Sequence, residues 1–189
     1  SDVCSSDLRG AGQRGLGGIA PDAVHAGVRL LRPLLRVRRA AVERFLRERG
    51  EPWREDATNR DPAMQRNRVR HEILPLLADR VNPRVVDALT RAADLLRDDE
   101  AWLDTLARER LAACTEPDGG LRADVLTALP SAARRRVIRL WLVAQAGLDP
   151  ELLTMPVVER VVTLAARAGN GSVTVPGNVR IVRRGSRMH

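Results

Sequence analysis

Behind Asn82 and Pro83, the residues Val85, Val86, Leu89, Ala93, Leu96, Leu103 and Leu106 recur every three or four positions. That spacing puts all of them on one side of an α-helix, whereas a strand would scatter them over both faces. Asparagine is a strong N-cap and proline is well suited to the first helical position, so a helix is predicted from Asn82 to about Ala113. A turn through Pro117, Asp118 and two glycines follows at 115–120. Two further helices are predicted, from about Ser131 to Ala146 with Gly147 as the stop, and from about Pro156 to Ala168 with Gly169 as the stop. The first presents Val137, Ile138, Trp141 and Leu142 along one stripe, and the second Val157, Val161, Val162 and Leu164; these stripes are expected to pack together. The chain then alternates through Ser172–Val175, turns at Pro176-Gly177-Asn178 and alternates again through Val179–Val182, which reads as a small β-hairpin.

Upstream of Asn82 the pattern is mixed. Five glycines fall among the twelve residues Arg9–Ala20, a density that suits a loop where backbone approaches a ligand closely, and equally suits a helix end followed by a turn. With Arg9 and Arg14 interleaved, Gly10, Gly12 and Gly15 have the makings of an anion-binding nest. Val28–Leu35 is apolar and contains Pro33, as a strand ending at the proline would. In Arg38–Arg49 the residues Ala41, Val42, Phe45 and Leu46 share a face, and Gly50 marks the stop. A strand followed by a covering helix is half of an α/β repeat. The loop after that helix therefore occupies a customary place for functional residues.

Charge narrows the partners. All 32 basic residues are arginine, against 24 acidic ones, and the net charge of +8 attracts polyanions in a salt-dependent way. An arginine-for-lysine bias of this kind also fits a GC-rich genome, so abundance alone does not identify a nucleic-acid partner. Cys4 and Cys114 are too few for a disulfide framework or a metal-thiolate site, and His25, His71 and His189 are widely spaced. No apolar run reaches the length of a bilayer span; a reducing, cytoplasmic setting is expected.

The loop after the Arg38–Arg49 helix holds the densest chemistry. Asp56-Ala57-Thr58-Asn59 is followed by Arg66-Asn67-Arg68-Val69-Arg70 and then by Ile73-Leu74-Pro75-Leu76-Leu77. A carboxylate, a hydroxyl and an amide open the segment, and three guanidinium groups close it just ahead of an apolar helix. This order resembles the tRNA(Ile)-lysidine synthases, whose pattern D-x-[ST]-N, a short spacer, R-N-x-[VIL]-R and a helix ending in L-P-x-L is filled at every fixed position. Arg9-Gly10-Ala11-Gly12 with Arg14-Gly15-Leu16, and Leu31-Arg32-Pro33-Leu34-Leu35, resemble the same family in the same order. The likeness runs from Arg9 to about Arg184.

The resemblance implies an α/β remnant, the C-terminal part of an ATP-pyrophosphatase Rossmann-like domain, followed by an all-α helical domain and a short β-hairpin. Its expected boundaries are 9–80, 81–170 and 171–189. Ser1–Leu8 fits neither the family nor a signal peptide and reads as a non-native leader. The family's S-G-G-x-D-S loop and H-x-x-D-D-Q-x-E-T helix have no counterpart in the sequence. The chain is therefore read as an N-terminally truncated ligase that does not by itself activate ATP.

As the resemblance implies, the parent reaction adenylates a wobble cytidine with ATP and magnesium, then displaces AMP with the side-chain amine of L-lysine on tRNA(Ile); a homodimer is one expected state of the full-length protein. Arg66, Asp56, Asn67 and Arg70 are the candidate catalytic residues. Paired arginines suit phosphoryl groups, and a carboxylate suits the lysine ammonium or the ordering of those arginines. Asn67 and Asn59 suit a base edge or a helix cap. Asn59, Arg9, Gly10, Gly12, Arg134 and Arg135 are the candidate substrate- and tRNA-binding residues. The last two belong to a basic stretch with Arg136 and Arg139 that reads either as a phosphate contact or as a solvated face. No metal ligand set is expected. The alternative is a non-catalytic RNA-binding helical module. A helix-turn-helix regulator would need a short recognition helix, and a tRNA thiolase would need paired reactive cysteines.

Overall fold

The computed structural model describes residues 12–25, 27–54, 58, 61 and 63–189. The chain divides between Glu100 and Ala101 into two compact units.

The first unit begins with α1 (Gly12–Leu16), an antiparallel pair β1 (Asp22–His25) and β2 (Val28–Leu31), and α2 (Arg39–Glu48). From Gly12 onward the glycine-rich segment is a short helix and a turn, in which Gly17 N–H donates to Gln13 O at 2.9 Å and Gly18 adopts φ 64°. The apolar stretch 28–35 ends as a strand earlier than its sequence suggests, and it belongs to a hairpin. Gly27, at φ 78°, turns the chain back, and Arg32 N–H extends the ladder to Pro21 O at 2.8 Å. Asp22 and Arg29 bridge the strands through hydrogen bonds of 3.0 and 3.2 Å from Nε. No parallel pairing occurs among the described residues, so the expected half of an α/β repeat is replaced there by an antiparallel pair.

Beyond the motif loop run α3 (Gln65–Arg68), a single π turn over Val69–Ile73, and α4 (Leu74–Arg80). The π turn has a local cause. Pro75 has no N–H to give the preceding turn, and Leu74 N–H reaches five residues back to Val69 O, widening the helix where the ladder would otherwise break. The apolar run 73–77 is helical but does not enter a core. No residue of α4 is buried, and Leu76 is 57% exposed. Val69 is the one large apolar side chain buried among the described residues of this unit.

Helix α5 (Val85–Cys114) follows. Asn82 accepts Arg84 N–H through Oδ1 at 2.9 Å, so the expected cap is present. Within the first unit α5 is held by charge: Asp94 meets Arg97 at 2.8 Å and Arg36 at 3.4 Å, Arg97 donates to Gly17 O at 2.6 Å, and Arg38 pairs with Asp87.

The second unit contains a packed core. Helices α6 (Ala123–Thr127), α7 (Ser131–Ala146) and α8 (Met155–Ala166) cover a four-stranded antiparallel sheet. Its strands are β3 (Leu121–Arg122), β4 (Gly171–Val175), β5 (Val179–Arg184) and β6 (Arg187–Met188), in the spatial order β3-β6-β5-β4. The apolar stripes of α7 and α8 meet as expected, with Val137, Ile138, Leu142 and Val161 wholly buried. Gly147 ends α7 at φ 60° and ψ 23°, the left-handed geometry that glycine enters without a Cβ penalty.

An all-α domain with an appended hairpin is corrected here. Val175, Ile181, Leu121 and Met188 enter the same core as the helices. The reason is the pleat: β5 turns Ile181 inward and Arg180 outward, and burying each such side chain contributes about 1.5–3 kcal/mol. Arg183 Nη1 closes one end by donating to Ala165 O at 2.8 Å and Leu164 O at 3.3 Å, carbonyls in the last turn of α8.

Candidate functional site

The motif loop is organised from the inside by Asn67. Only 2% exposed, its side-chain Nδ2 donates to Thr58 O at 2.9 Å and Asp61 O at 2.8 Å, while its backbone N–H donates to Met64 O at 2.9 Å. Asp61 adds a local turn by accepting Ala63 N–H through Oδ1 at 2.9 Å. Asn67 therefore clamps the loop; the N-cap of α3 is Met64, and both amide hydrogens of Asn67 are used within the chain. Its Oδ1 is shielded from solvent and has no hydrogen-bond partner among the described residues.

Around this buried pin the arginines face outward. Arg66, Arg68 and Arg70 are exposed, and the Arg66 side chain makes no hydrogen bond or ion pair among the described residues. An exposed guanidinium beside a fixed loop suits recognition of a phosphoryl group by parallel N–H donors. Asp56, Asn59, Arg9 and Gly10 lie outside the described residues. Gly12 starts α1. A cavity of about 140 Å³ does lie against the glycine turn, lined by Gly17, Gly18, Leu74, Leu89, Asp94 and Arg97 among others, but Arg66, Asn67 and Arg70 do not line it. Trp53, the aromatic nearest the motif in sequence, is partly exposed with the Arg47 guanidinium 6.0 Å from its ring centroid.

In the second unit, the basic stretch of α7 is tied to its own fold. Arg134 donates to Thr127 O at 2.6 Å and Leu129 O at 3.0 Å. Arg135 pairs with Glu159, Arg136 with Asp104 at 3.2 Å, and Arg139 donates to Leu153 O and, at 2.6 Å, to Pro150 O. Arg134 and Arg139 cap loop carbonyls, which sequence spacing does not reveal because the acceptors are 5–14 positions away. Cys114 is buried, and desolvation pushes its thiol up from the ordinary value. No group of three or more histidine, cysteine or acidic side chains that could hold a metal occurs among the described residues. No helix among them is long and apolar enough to cross a membrane.

Comparison with known proteins bears on both units. A family described as the PP-loop domain matches residues 3–77, and one described as the TilS substrate binding domain matches residues 121–189. The chain belongs to the tRNA(Ile)-lysidine synthase (TilS) family. Among its relatives are tRNA(Ile)-lysidine synthases of Solibacter usitatus, 41% identical over 90% of this chain and 39% of the relative, and of Salinispora tropica, 40% identical over 95% and 54%. That of Streptomyces coelicolor is 39% identical over 95% of this chain and 51% of its own length. The chain thus spans about half the length, or less, of these curated relatives. The TilS match to 121–189 takes in β3, α6 and all of β4–β6, in keeping with helices and sheet sharing one core. The PP-loop match begins at residue 3 and so takes in most of the stretch 1–8 for which a non-native leader is expected from the sequence.

Proposed function

We propose that this chain supplies the C-terminal part of the PP-loop domain and the substrate-binding domain of an enzyme that uses ATP to join L-lysine to the wobble cytidine of tRNA(Ile). The observation that carries the reading is the Asn67 clamp, which fixes the motif loop while the Arg66 side chain stays exposed, without a partner among the described residues. When ATP is bound it supplies the adenylyl group that makes the cytosine carbonyl oxygen a leaving group. Arg66 and Arg70 hold phosphoryl oxygens and neutralise the charge that gathers on them. Asp56 receives the lysine ammonium, Asn59 meets the base, and Arg9, Gly10 and Gly12 line the nucleotide side. Asn67 acts through the loop it pins. No step is assigned to magnesium, which is held in ATP sites largely by phosphates with one or two carboxylates.

Arg135, whose side chain is 43% exposed, remains within reach of a tRNA phosphate at the rim of the second unit, with Arg134 fixed beside it. Sulfur transfer is disfavoured by the buried, poorly ionised Cys114. The decisive experiment replaces the corresponding region of the Salinispora tropica relative with residues 9–189 and follows ATP-dependent incorporation of labelled lysine into tRNA(Ile). Incorporation is expected from the chimera and not from this chain alone, which lacks an S-G-G-x-D-S loop. A folded chimera that binds tRNA yet transfers no lysine contradicts the ligase reading and favours a non-catalytic RNA-binding module.

A further inference from the structure

On the sheet of the second unit, Arg122 of β3 stands opposite Arg187 of β6, and Arg187 stands opposite Arg184 of β5. Residues directly opposite share a face. The neighbouring row, Leu121 and Met188, is wholly buried, so the arginine row looks away from the core, and all three arginines are exposed. Because strand side chains alternate, Arg180 lies on the same outer side of β5, where it donates to Ser172 Oγ at 3.1 Å and stands opposite Thr174.

Like charges placed directly opposite weaken a sheet, so the fold gains nothing from this row as such. Two of its members are steadied at the rim: Arg122 by Asp124 at 2.8 Å, and Arg187 by Asp118 at 3.0 Å and Glu116 at 3.4 Å. Arg184 has no partner among the described residues, and Arg180 meets no carboxylate there. From Arg160 to His189 the sequence holds six arginines and no acidic residue.

We infer that the outer face of the β3-β6-β5-β4 sheet binds the phosphodiester backbone of a folded RNA. Arg180 and Arg184 supply uncommitted positive charge, while Arg122 and Arg187 are held ready beside them. Guanidinium and hydroxyl donors on one flat face are the usual equipment for phosphate contacts. Val182 is the only large apolar residue of β4 and β5 on that side and is half-buried, which leaves little to insert into a lipid surface. The choice of RNA rests on the tRNA-modifying reading; the phosphate chemistry rests on the sheet.

The test is binding of unfractionated tRNA to the full chain across a salt series, for the wild type, Arg180→Ala/Arg184→Ala and Arg139→Ala. The double variant is expected to lose roughly tenfold or more in affinity at 0.1 M salt and to lower the log–log salt slope by about two units, with its melting curve unchanged. Arg139→Ala is expected to keep the wild-type slope. An unaltered slope in the double variant, failure of the wild type to bind tRNA at low salt, or tighter binding to phosphatidylserine vesicles than to tRNA each overturns the inference. Binding with the expected slopes upholds it even if the chimera described above transfers no lysine, so the two failures are distinguishable.

Discussion

Asn67 Nδ2 donates to Thr58 O at 2.9 Å, spanning nine positions of the chain to close the loop that leads into α3. With the second bond to Asp61 O at 2.8 Å, one buried amide sets the path of this loop. Asn67→Ala leaves both carbonyls without this donor, at a cost of about 1–3 kcal/mol. Amide exchange at Asp61 and Met64 is expected to quicken by roughly 5- to 150-fold, the factor equivalent to that cost. Unchanged protection at those amides would show that the loop holds its shape without Asn67.

Arg66, adjacent in sequence, should behave in the opposite way. It is exposed and without a partner among the described residues, so Arg66→Ala is expected to shift the melting temperature of this chain by less than about 2 °C. In the lysine-incorporating chimera the same substitution is expected to lower turnover by at least about tenfold, through loss of a charge-assisted phosphate contact. A large fall in melting temperature with turnover retained would assign Arg66 to the scaffold.

For Arg134 and Arg139 the hydrogen-bond partners predict stability effects. Both donate to loop carbonyls, and a bond from a charged donor contributes about 1.5–3 kcal/mol. Denaturant melts of Arg134→Ala and Arg139→Ala should show losses of about that size. Full stability combined with a diminished tRNA salt slope would instead return these residues to the tRNA interface.

Acid should weaken the second unit through its carboxylates. The hydrogen bond from Arg122 holds the Asp124 carboxyl below its ordinary value of 3.8, and the Gly120 N–H, with lesser help from Arg187 and His189, does the same for Asp118. A carboxyl whose folded value is depressed stabilises the fold fully above the unfolded value and loses that contribution as pH falls through the folded one. The loss is therefore expected below about pH 4. Arg122→Gln should move the Asp124 midpoint, followed by carboxyl NMR shifts, back up toward 3.8; an unmoved midpoint would show that Arg122 is not its cause.

Sequence alone determined the helices α2, α5, α7 and α8 and the turn before β5, because these depend on spacing and on local signals, such as the start at Asn82 and the stop at Gly147, that act within a few residues. It also determined the family, since Asp56, Thr58, Asn59, Arg66, Asn67 and Arg70 sit in an order that needs no fold to recognise. Tertiary structure decided the rest. It paired Val28–Leu31 antiparallel with Asp22–His25, drew Leu121 and Met188 across 67 positions into one sheet, turned Asn67 inward while leaving Arg66 outside, and gave the α7 arginines carbonyls and carboxylates to hold. Strand register and side-chain partners are long-range properties: which face of a strand is buried, and which acceptor an arginine reaches, depend on surfaces brought together only when the chain closes on itself.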